Sequence, residues 1–111
     1  MYVLFFAKPI AGVSFSKLPR RAQRAFDATF DRLSRDPRTP ARGLDVHQLW
    51  GYQNVWTLRI PPWRGVYAID GSSVVMIIFG HRATVYAQLH ALLPPEGRYI
   101  SEPRIDRRRG R

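Results

Sequence analysis

The sequence predicts an α+β domain, and three features of the 111 residues lead to that prediction. Residues 2–7 form a short apolar run. Residues 15–34 repeat apolar side chains at helical spacing, and residues 54–80 contain three runs rich in β-branched and aromatic residues. A strand followed by helical sequence and then by consecutive strands is typical of an α+β sandwich. The length suits one domain with a single modest core.

The first half of the chain predicts one strand and one long helical segment. Tyr2–Ala7 is the predicted strand, and Pro9–Ser14 is predicted as a loop because it starts with a proline and contains a glycine. Phe15–Ser34 predicts a helix, either continuous or broken near Pro19. Its apolar stripe consists of Leu18, Ala22, Ala25, Phe26, Thr29, Phe30 and Leu33.

The second half predicts further strands and a closing helix. Leu44–Trp50 is a candidate short strand. Asn54–Ile60, Trp63–Asp70 and Val74–Gly80 are predicted as three consecutive strands, because proline, glycine and serine turns separate them. The last of these is apolar on both faces, which favours a central position in the sheet. Ala83–Leu93 predicts a helix that ends where two prolines follow.

Alternation along the strands separates an apolar face from a polar one. In the strand after residue 53, one face carries Trp56, Leu58 and Ile60, and the other carries Val55, Thr57 and Arg59. The first set should pack on a helix, so Arg59 should point to the opposite side of the sheet. Arg64 shares that side only if the turn between the two strands allows it.

Charge is the strongest compositional signal, because 18 basic residues against eight acidic residues give a net charge of +10. Such a surface attracts polyanions, and arginine, which supplies most of the basic residues, can bind phosphate in a bidentate way. Nucleic acid or the ribosome is therefore a predicted partner, with an acidic protein as the alternative. Arginine-rich codon usage and simple solubility are the explanations without a binding function.

Several classes of protein are disfavoured. The chain has no cysteine, so a disulfide framework and a cysteine metal site are excluded, which agrees with a cytoplasmic location. The apolar start is too short for a signal sequence or a membrane span. Residues 1–93 are predicted as the folded domain. Residues 94–111 form a basic tail rich in proline and arginine that we expect to be mostly disordered.

A set of short motifs in fixed order resembles the RelE/ParE superfamily of bacterial type II toxins. The motif residues are Leu58, Arg59, Arg64, Tyr67, Ile69, Asp70, Gly80, His81, Arg82, Val85 and Tyr86. Each motif is short, but their order and spacing together are fairly specific, and the resemblance covers roughly residues 2–93. It implies a small twisted antiparallel sheet with an N-terminal helix or helical hairpin on one face, a C-terminal helix, and a functional opposite face.

The resemblance also implies a function. RelE-like toxins are ribosome-dependent endoribonucleases that cut mRNA without a metal ion or cofactor and so inhibit translation. Arg64 and Arg82 match the family's phosphate-stabilising arginines, Tyr86 matches its tyrosine, and Arg59 would add positive charge near the RNA. Trp63 takes a position that is usually aromatic and could stack on a base or pack. A cognate antitoxin, mRNA and the ribosome are the implied partners.

Two positions depart from the nuclease branch of the family, because Val55 and Thr57 stand where that branch has lysines. Another group must then transfer protons, and the candidates are the three histidines. His81, beside Arg82, is the preferred one, although neighbours along a strand can point to opposite faces. The departure leaves two alternatives open: an inhibitor of DNA gyrase like the ParE branch, without nuclease activity, and a non-catalytic scaffold that only binds an antitoxin.

Overall fold

The computed structural model describes residues 1–39, 44–93 and 105–107, in which a six-stranded sheet carries helices on both faces. The elements in chain order are β1 (Val3–Ala7), α1 (Ile10–Ser16), α2 (Arg20–Arg35), β2 (Val46–Gln48), β3 (Val55–Ile60), β4 (Trp63–Asp70), β5 (Ser73–His81), α3 (Val85–Leu92) and β6 (Ile105–Arg107). The predicted α+β class and the three consecutive strands are confirmed, with end points that agree within one residue.

The strand order is β2-β3-β4-β5-β1-β6. Strands β2 to β5 form an antiparallel meander, and β1 joins it by pairing in parallel with β5. Both helices of the N-terminal hairpin lie in the connection between β1 and the meander. The prediction of a central β5 is confirmed, because the side chains from Val74 to Phe79 are all buried.

The first face of the sheet packs against the helical hairpin α1–α2. The α2 stripe supplies Phe26, Phe30 and Leu33, each with no exposed surface. Phe79 of β5 lies at the centre of an aromatic cluster, with ring centroids 5.0 Å from Phe15 and 5.2 Å from Phe26. The predicted apolar face of β3 packs on this side, since Leu58 is part of the same core and Trp56 and Ile60 lie against it.

The second face of the sheet packs against α3. Val85 and Leu89 are fully buried in a second cluster that includes Val55, Val66 and Ile78 from three neighbouring strands. Gly80 allows the close approach of this helix, because a Cβ atom at that position would lie 3.3 Å from the Val85 side chain. The start of α3 is therefore held directly over the end of β5.

The loop predicted for Pro9–Ser14 is wrong, because α1 begins at Ile10 and runs to Ser16. Ala11 and Phe15 are four residues apart and form its buried face. Gly12 suggested a loop, but its position on the helix is exposed, and a Cβ atom added there would have no other atom within 4 Å. The segment predicted as one helix or a hairpin is thus a hairpin, with Pro19 immediately before α2.

The tail contributes one described segment. Ile105–Arg107 forms β6, which pairs antiparallel with β1 and extends the sheet beyond the predicted domain limit at residue 93. The prediction of disorder for the other tail residues falls on positions 94–104 and 108–111, which lie outside the described residues. Within the described part of the chain, every helix is too short or too polar to cross a membrane.

Candidate nucleic-acid interface

The second face of the sheet carries a basic surface that we call the arginine face, made of Arg59, Arg64, Thr57 and Tyr86. Arg59 and Arg64 stand directly opposite each other in the β3–β4 pair. Direct partners in an antiparallel pair point to the same side of the sheet. The hairpin turn therefore brings onto one face two arginines whose relative orientation the sequence left open.

Tyr86 is part of α3 and contacts this face of the sheet. The phenol oxygen lies 3.3 Å from the Thr57 hydroxyl, which places the first turn of α3 over β3. Thr57 is buried and faces Val66 across the strand pair, so Arg64 is the next residue along that side of β4. Tyr86 is half-buried, so part of its side chain is exposed to solvent.

Arg82 lies at the same end of the sheet, in the turn between β5 and α3. Its backbone N–H donates a hydrogen bond of 2.9 Å to the Pro62 carbonyl, and this ties the turn to the β3–β4 connection. Its side chain is exposed and makes no hydrogen bond or ion pair with the described residues. The arginine is thus available to a ligand that covers this end of the arginine face.

Arg59 is held by Asp45, which directly precedes β2, and by His47 within β2. Its NH2 group lies 3.2 Å from Asp45 Oδ1, and the same oxygen lies 2.7 Å from His47 Nε2. The guanidinium also contacts His47 Nε2 directly. Burial raises the pKa of Asp45, but hydrogen bonds from Arg59 and His47 outweigh that effect, so the pKa lies below its ordinary value.

One N–H of Arg59 has no acceptor within the described part of the chain. The Nε atom is buried and lacks a hydrogen-bond partner among residues 1–39, 44–93 and 105–107. Leaving a buried donor unpaired costs about 1 to 3 kcal/mol. An anion that drew this guanidinium outward could offer Nε an acceptor and relieve that cost.

His81 and Trp63 lie on the other side of the sheet. They are direct partners across β4 and β5, and their rings meet edge to face with centroids 5.4 Å apart. His81 Nδ1 accepts a hydrogen bond of 3.0 Å from the Ala83 backbone N–H. The structure therefore does not bring these two predicted site residues together with Arg59 and Arg64.

Asp45 was not singled out by sequence reasoning, and His47 received little weight. The sequence did contain a signal that could have paired them, since Asp45 and His47 are two residues apart and side chains at that spacing share one side of a strand. The sequence did not reveal the register of β2 against β3, in which His47 stands directly opposite Thr57. That register places the histidine on the arginine face.

A groove of about 480 Å³ lies elsewhere, between α1 and α3. It is largely apolar and includes Val13 and Leu92, both of which are about half exposed. Of the predicted site residues only Trp63 lines it. Arg59 and Arg64 are partly exposed on the arginine face, which suits an extended polymer better than a small molecule enclosed in a pocket. No three His, Cys, Asp or Glu side chains of the described segments are grouped closely enough to hold a metal ion.

No family model matches the chain, and no curated protein sequence matches it. Among solved structures, a chain of the RelB–RelE antitoxin–toxin complex from Methanococcus jannaschii superposes with a TM-score of 0.62 at 17% identity. That match covers 73% of this chain and 93% of the other.

Two bacterial structures give similar matches. A chain of the intact RelBE toxin–antitoxin complex from E. coli has a TM-score of 0.60 at 21% identity, covering 73% of this chain and 96% of the other. The RelBE2 toxin–antitoxin complex from Mycobacterium tuberculosis gives 28% identity and a TM-score of 0.55, over 73% and 98% of the two chains. The chain therefore has the RelE-like toxin fold that its motifs predicted.

Proposed function

We propose that this protein is the toxin of a type II toxin–antitoxin pair and that it cuts mRNA on the ribosome. The observation that carries the proposal is the grouping of Arg59, Arg64 and Arg82 at one end of the sheet, beside Tyr86. The fold shared with RelE chains supports it, and so does the net charge of +10. The cytoplasm is the compartment in which such a target would be met.

The arginine face suits the charge of a phosphodiester undergoing cleavage. Attack by the ribose 2′-oxygen on the adjacent phosphorus creates a phosphorane with more negative charge than the starting phosphate. Fixed cations stabilise that transition state more than the ground state. Arg64 and Arg82 take this role in the proposal, Arg59 adds positive charge beside them, and the exposed part of Tyr86 orients or stacks on a base.

The proposal is tested by inducing the wild-type chain and the variants Arg64→Ala and Arg82→Ala in a bacterial host. RNA 5′ ends are mapped within minutes of induction. We expect cuts inside translated reading frames with the wild type and their loss in both variants. Arg21→Ala is the matched control, because this arginine is exposed on α2, away from the arginine face. Fully toxic Arg64→Ala and Arg82→Ala variants would remove the main support for nuclease activity.

A second candidate is an inhibitor of DNA gyrase without nuclease activity, as in the ParE branch. Val55 and Thr57 favour it, because they stand at the family's lysine positions and both side chains are buried. This candidate predicts growth arrest with intact mRNA, together with DNA damage and inhibited supercoiling. Absence of growth arrest would instead indicate a scaffold that only binds an antitoxin.

A cognate antitoxin is the partner that either toxin activity requires. The three similar solved structures described above are toxin–antitoxin complexes. Because this chain carries a charge of +10, the segment that covers it should be acidic as well as amphipathic. We expect co-expression of the small protein encoded beside it to abolish growth arrest and to yield a complex whose affinity falls with salt.

A further inference from the structure

The arginine face has abundant positive charge but needs a group that exchanges a proton near neutral pH. Arginine stays protonated in proteins, and an ordinary tyrosine releases its proton only near pH ~10. Cleavage by the 2′-oxygen requires removal of the 2′-hydroxyl proton. A histidine is the side chain suited to that step, and among the described histidines only His47 lies on this face.

The other two histidines are excluded by position. His81 lies on the opposite side of the sheet, edge-on to Trp63, and its Nδ1 is occupied by a backbone N–H. His90 is exposed near the end of α3, with its ring 6.1 Å from that of Tyr52. His47, by contrast, stands directly opposite Thr57, whose hydroxyl contacts Tyr86.

Asp45 gives His47 the arrangement of an oriented base. The carboxylate oxygen lies 2.7 Å from Nε2, and an N–H of Arg59 also points at this nitrogen. Once Arg59 turns away, Nε2 can carry the proton and donate a hydrogen bond to Asp45, which leaves the lone pair at Nδ1. The low pKa of Asp45 keeps the carboxylate ionised, as this role requires. Among the described residues, the charged groups that face the imidazole are Asp45 and, from β3, Arg59.

We infer that His47, oriented by Asp45, is the general base of the arginine face. This inference rests on the proposed nuclease function. Nδ1 takes the proton from the 2′-hydroxyl as the 2′-oxygen bonds to phosphorus. The bond from phosphorus to the 5′-oxygen breaks, and the 5′-oxygen keeps the electron pair and takes a proton from water. The products are a 2′,3′-cyclic phosphate and a 5′-hydroxyl, and His47 returns its proton to solvent.

Arg59 links this base to the phosphate. It contacts both Asp45 and His47, while its Nε–H finds no acceptor among the described residues. A phosphate on the arginine face offers Arg59 better acceptors than the shared carboxylate oxygen. When Arg59 turns to the phosphate, Oδ1 of Asp45 is left to His47 alone. Substrate binding would thereby strengthen the contact that orients the base.

The test uses the purified full chain with ribosomes programmed with a defined mRNA, under single-turnover conditions across pH 5.5 to 9, roughly the range over which a histidine changes charge. The variants are His47→Ala, His47→Gln and Asp45→Asn, with His90→Gln as the matched control. We expect His47→Ala and His47→Gln to cut about 10²- to 10⁴-fold more slowly than wild type while binding programmed ribosomes with unchanged affinity.

Two readouts separate proton transfer from a structural role. The rate of the wild type should fall at acid pH, and this dependence should disappear in His47→Ala. Added imidazole should restore part of the rate to His47→Ala but none to His47→Gln, whose side chain fills the site. Asp45→Asn should cut more slowly than wild type and keep its ribosome affinity.

The outcomes distinguish this inference from the proposed function. If the wild type cuts and His47→Ala cuts at the same rate and pH dependence, the role of His47 is overturned and the nuclease stands. The role is also overturned if His47→Ala loses ribosome binding and imidazole restores nothing. If the wild type itself leaves programmed mRNA intact, the proposed nuclease function fails, and the inference fails with it.

Discussion

Arg59 and Arg64 are direct cross-strand partners, so two positive charges stand opposite each other on one face of the sheet. Like charges in this arrangement destabilise a strand pair. Asp45 bonds Arg59, whereas the only described hydrogen bond of the Arg64 side chain is to the Trp63 carbonyl at 3.0 Å. A surface that served stability alone would not place the two arginines in this way.

We therefore predict that Arg64→Gln stabilises the fold while it weakens cleavage. The gain should be at most about 1 kcal/mol in the free energy of unfolding, since cross-strand pairs contribute in that range. Urea unfolding at low and high salt checks the cause, because screening should shrink the gain. Arg21→Gln on α2 is the control. A gain that does not depend on salt would contradict the electrostatic explanation.

Gly65 is required by the packing of the first face. A Cβ atom there would lie 3.0 Å from a ring carbon of Phe79 and 3.1 Å from one of Phe26. Both rings are buried and cannot move freely. We expect Gly65→Ala to lower the free energy of unfolding by about 1 to 3 kcal/mol, measured by urea denaturation.

Gly12 provides the opposite case. It lies inside α1, and a Cβ atom added there would have no neighbouring atom within 4 Å. We expect Gly12→Ala to stabilise the protein by about 0.5 to 1 kcal/mol, since alanine favours a helix over glycine by roughly that amount. Equal effects at the two positions would mean that Phe26 and Phe79 adjust to the added methyl group.

Tyr67 links β4 to the segment after α2 through a buried hydrogen bond, in which its hydroxyl donates to the Pro37 carbonyl at 2.6 Å. Burial raises the pKa of this phenol, with a further contribution from Asp36 that Arg38 partly offsets. Because the folded-state pKa is raised, the stabilising contribution is complete below the ordinary value near ~10 and is lost as the pH rises above it.

We thus expect the free energy of unfolding to fall above pH ~10, and to fall less in Tyr67→Phe. At neutral pH, Tyr67→Phe should itself cost about 1 to 3 kcal/mol, because the buried carbonyl loses its donor. Urea unfolding at pH 7 and in the alkaline range measures both effects. Tyr2→Phe is the control, since that side chain is only half-buried.

The lowered pKa of Asp45 predicts how the free energy of unfolding changes at acid pH. Its pKa is lowered in the folded state, so its contribution is present above the ordinary value near ~3.9 and is lost as the pH falls through the lower folded value. Carboxyl NMR titration should show a midpoint below that of a model aspartate. Arg59→Ala should move the midpoint upward, because it removes a hydrogen bond and a positive charge. An unchanged midpoint would show that Arg59 does not hold the carboxylate in solution.

The local pattern of apolar and turn-forming residues was sufficient to predict most of the fold. The strands β3 to β5 and the buried stripe of α2 followed from periodicity and from proline and glycine at the turns, because these signals act over a few residues. The loop predicted for Pro9–Ser14 was wrong for a related reason. Gly12 is a local signal against a helix, and burial of Ala11 and Phe15 against the sheet outweighs it.

The sequence by itself determined the fold class, the excess of positive charge, and the arginines at strand ends. Only the tertiary structure decided which of these residues meet. The β3–β4 turn places Arg59 opposite Arg64, and the β2–β3 register places His47 opposite Thr57. Because side chains alternate along β5, His81 lies on the other face of the sheet. Strand register depends on contacts between distant segments, and a shift of one residue reverses the face of every side chain, so no short stretch of sequence encodes it alone.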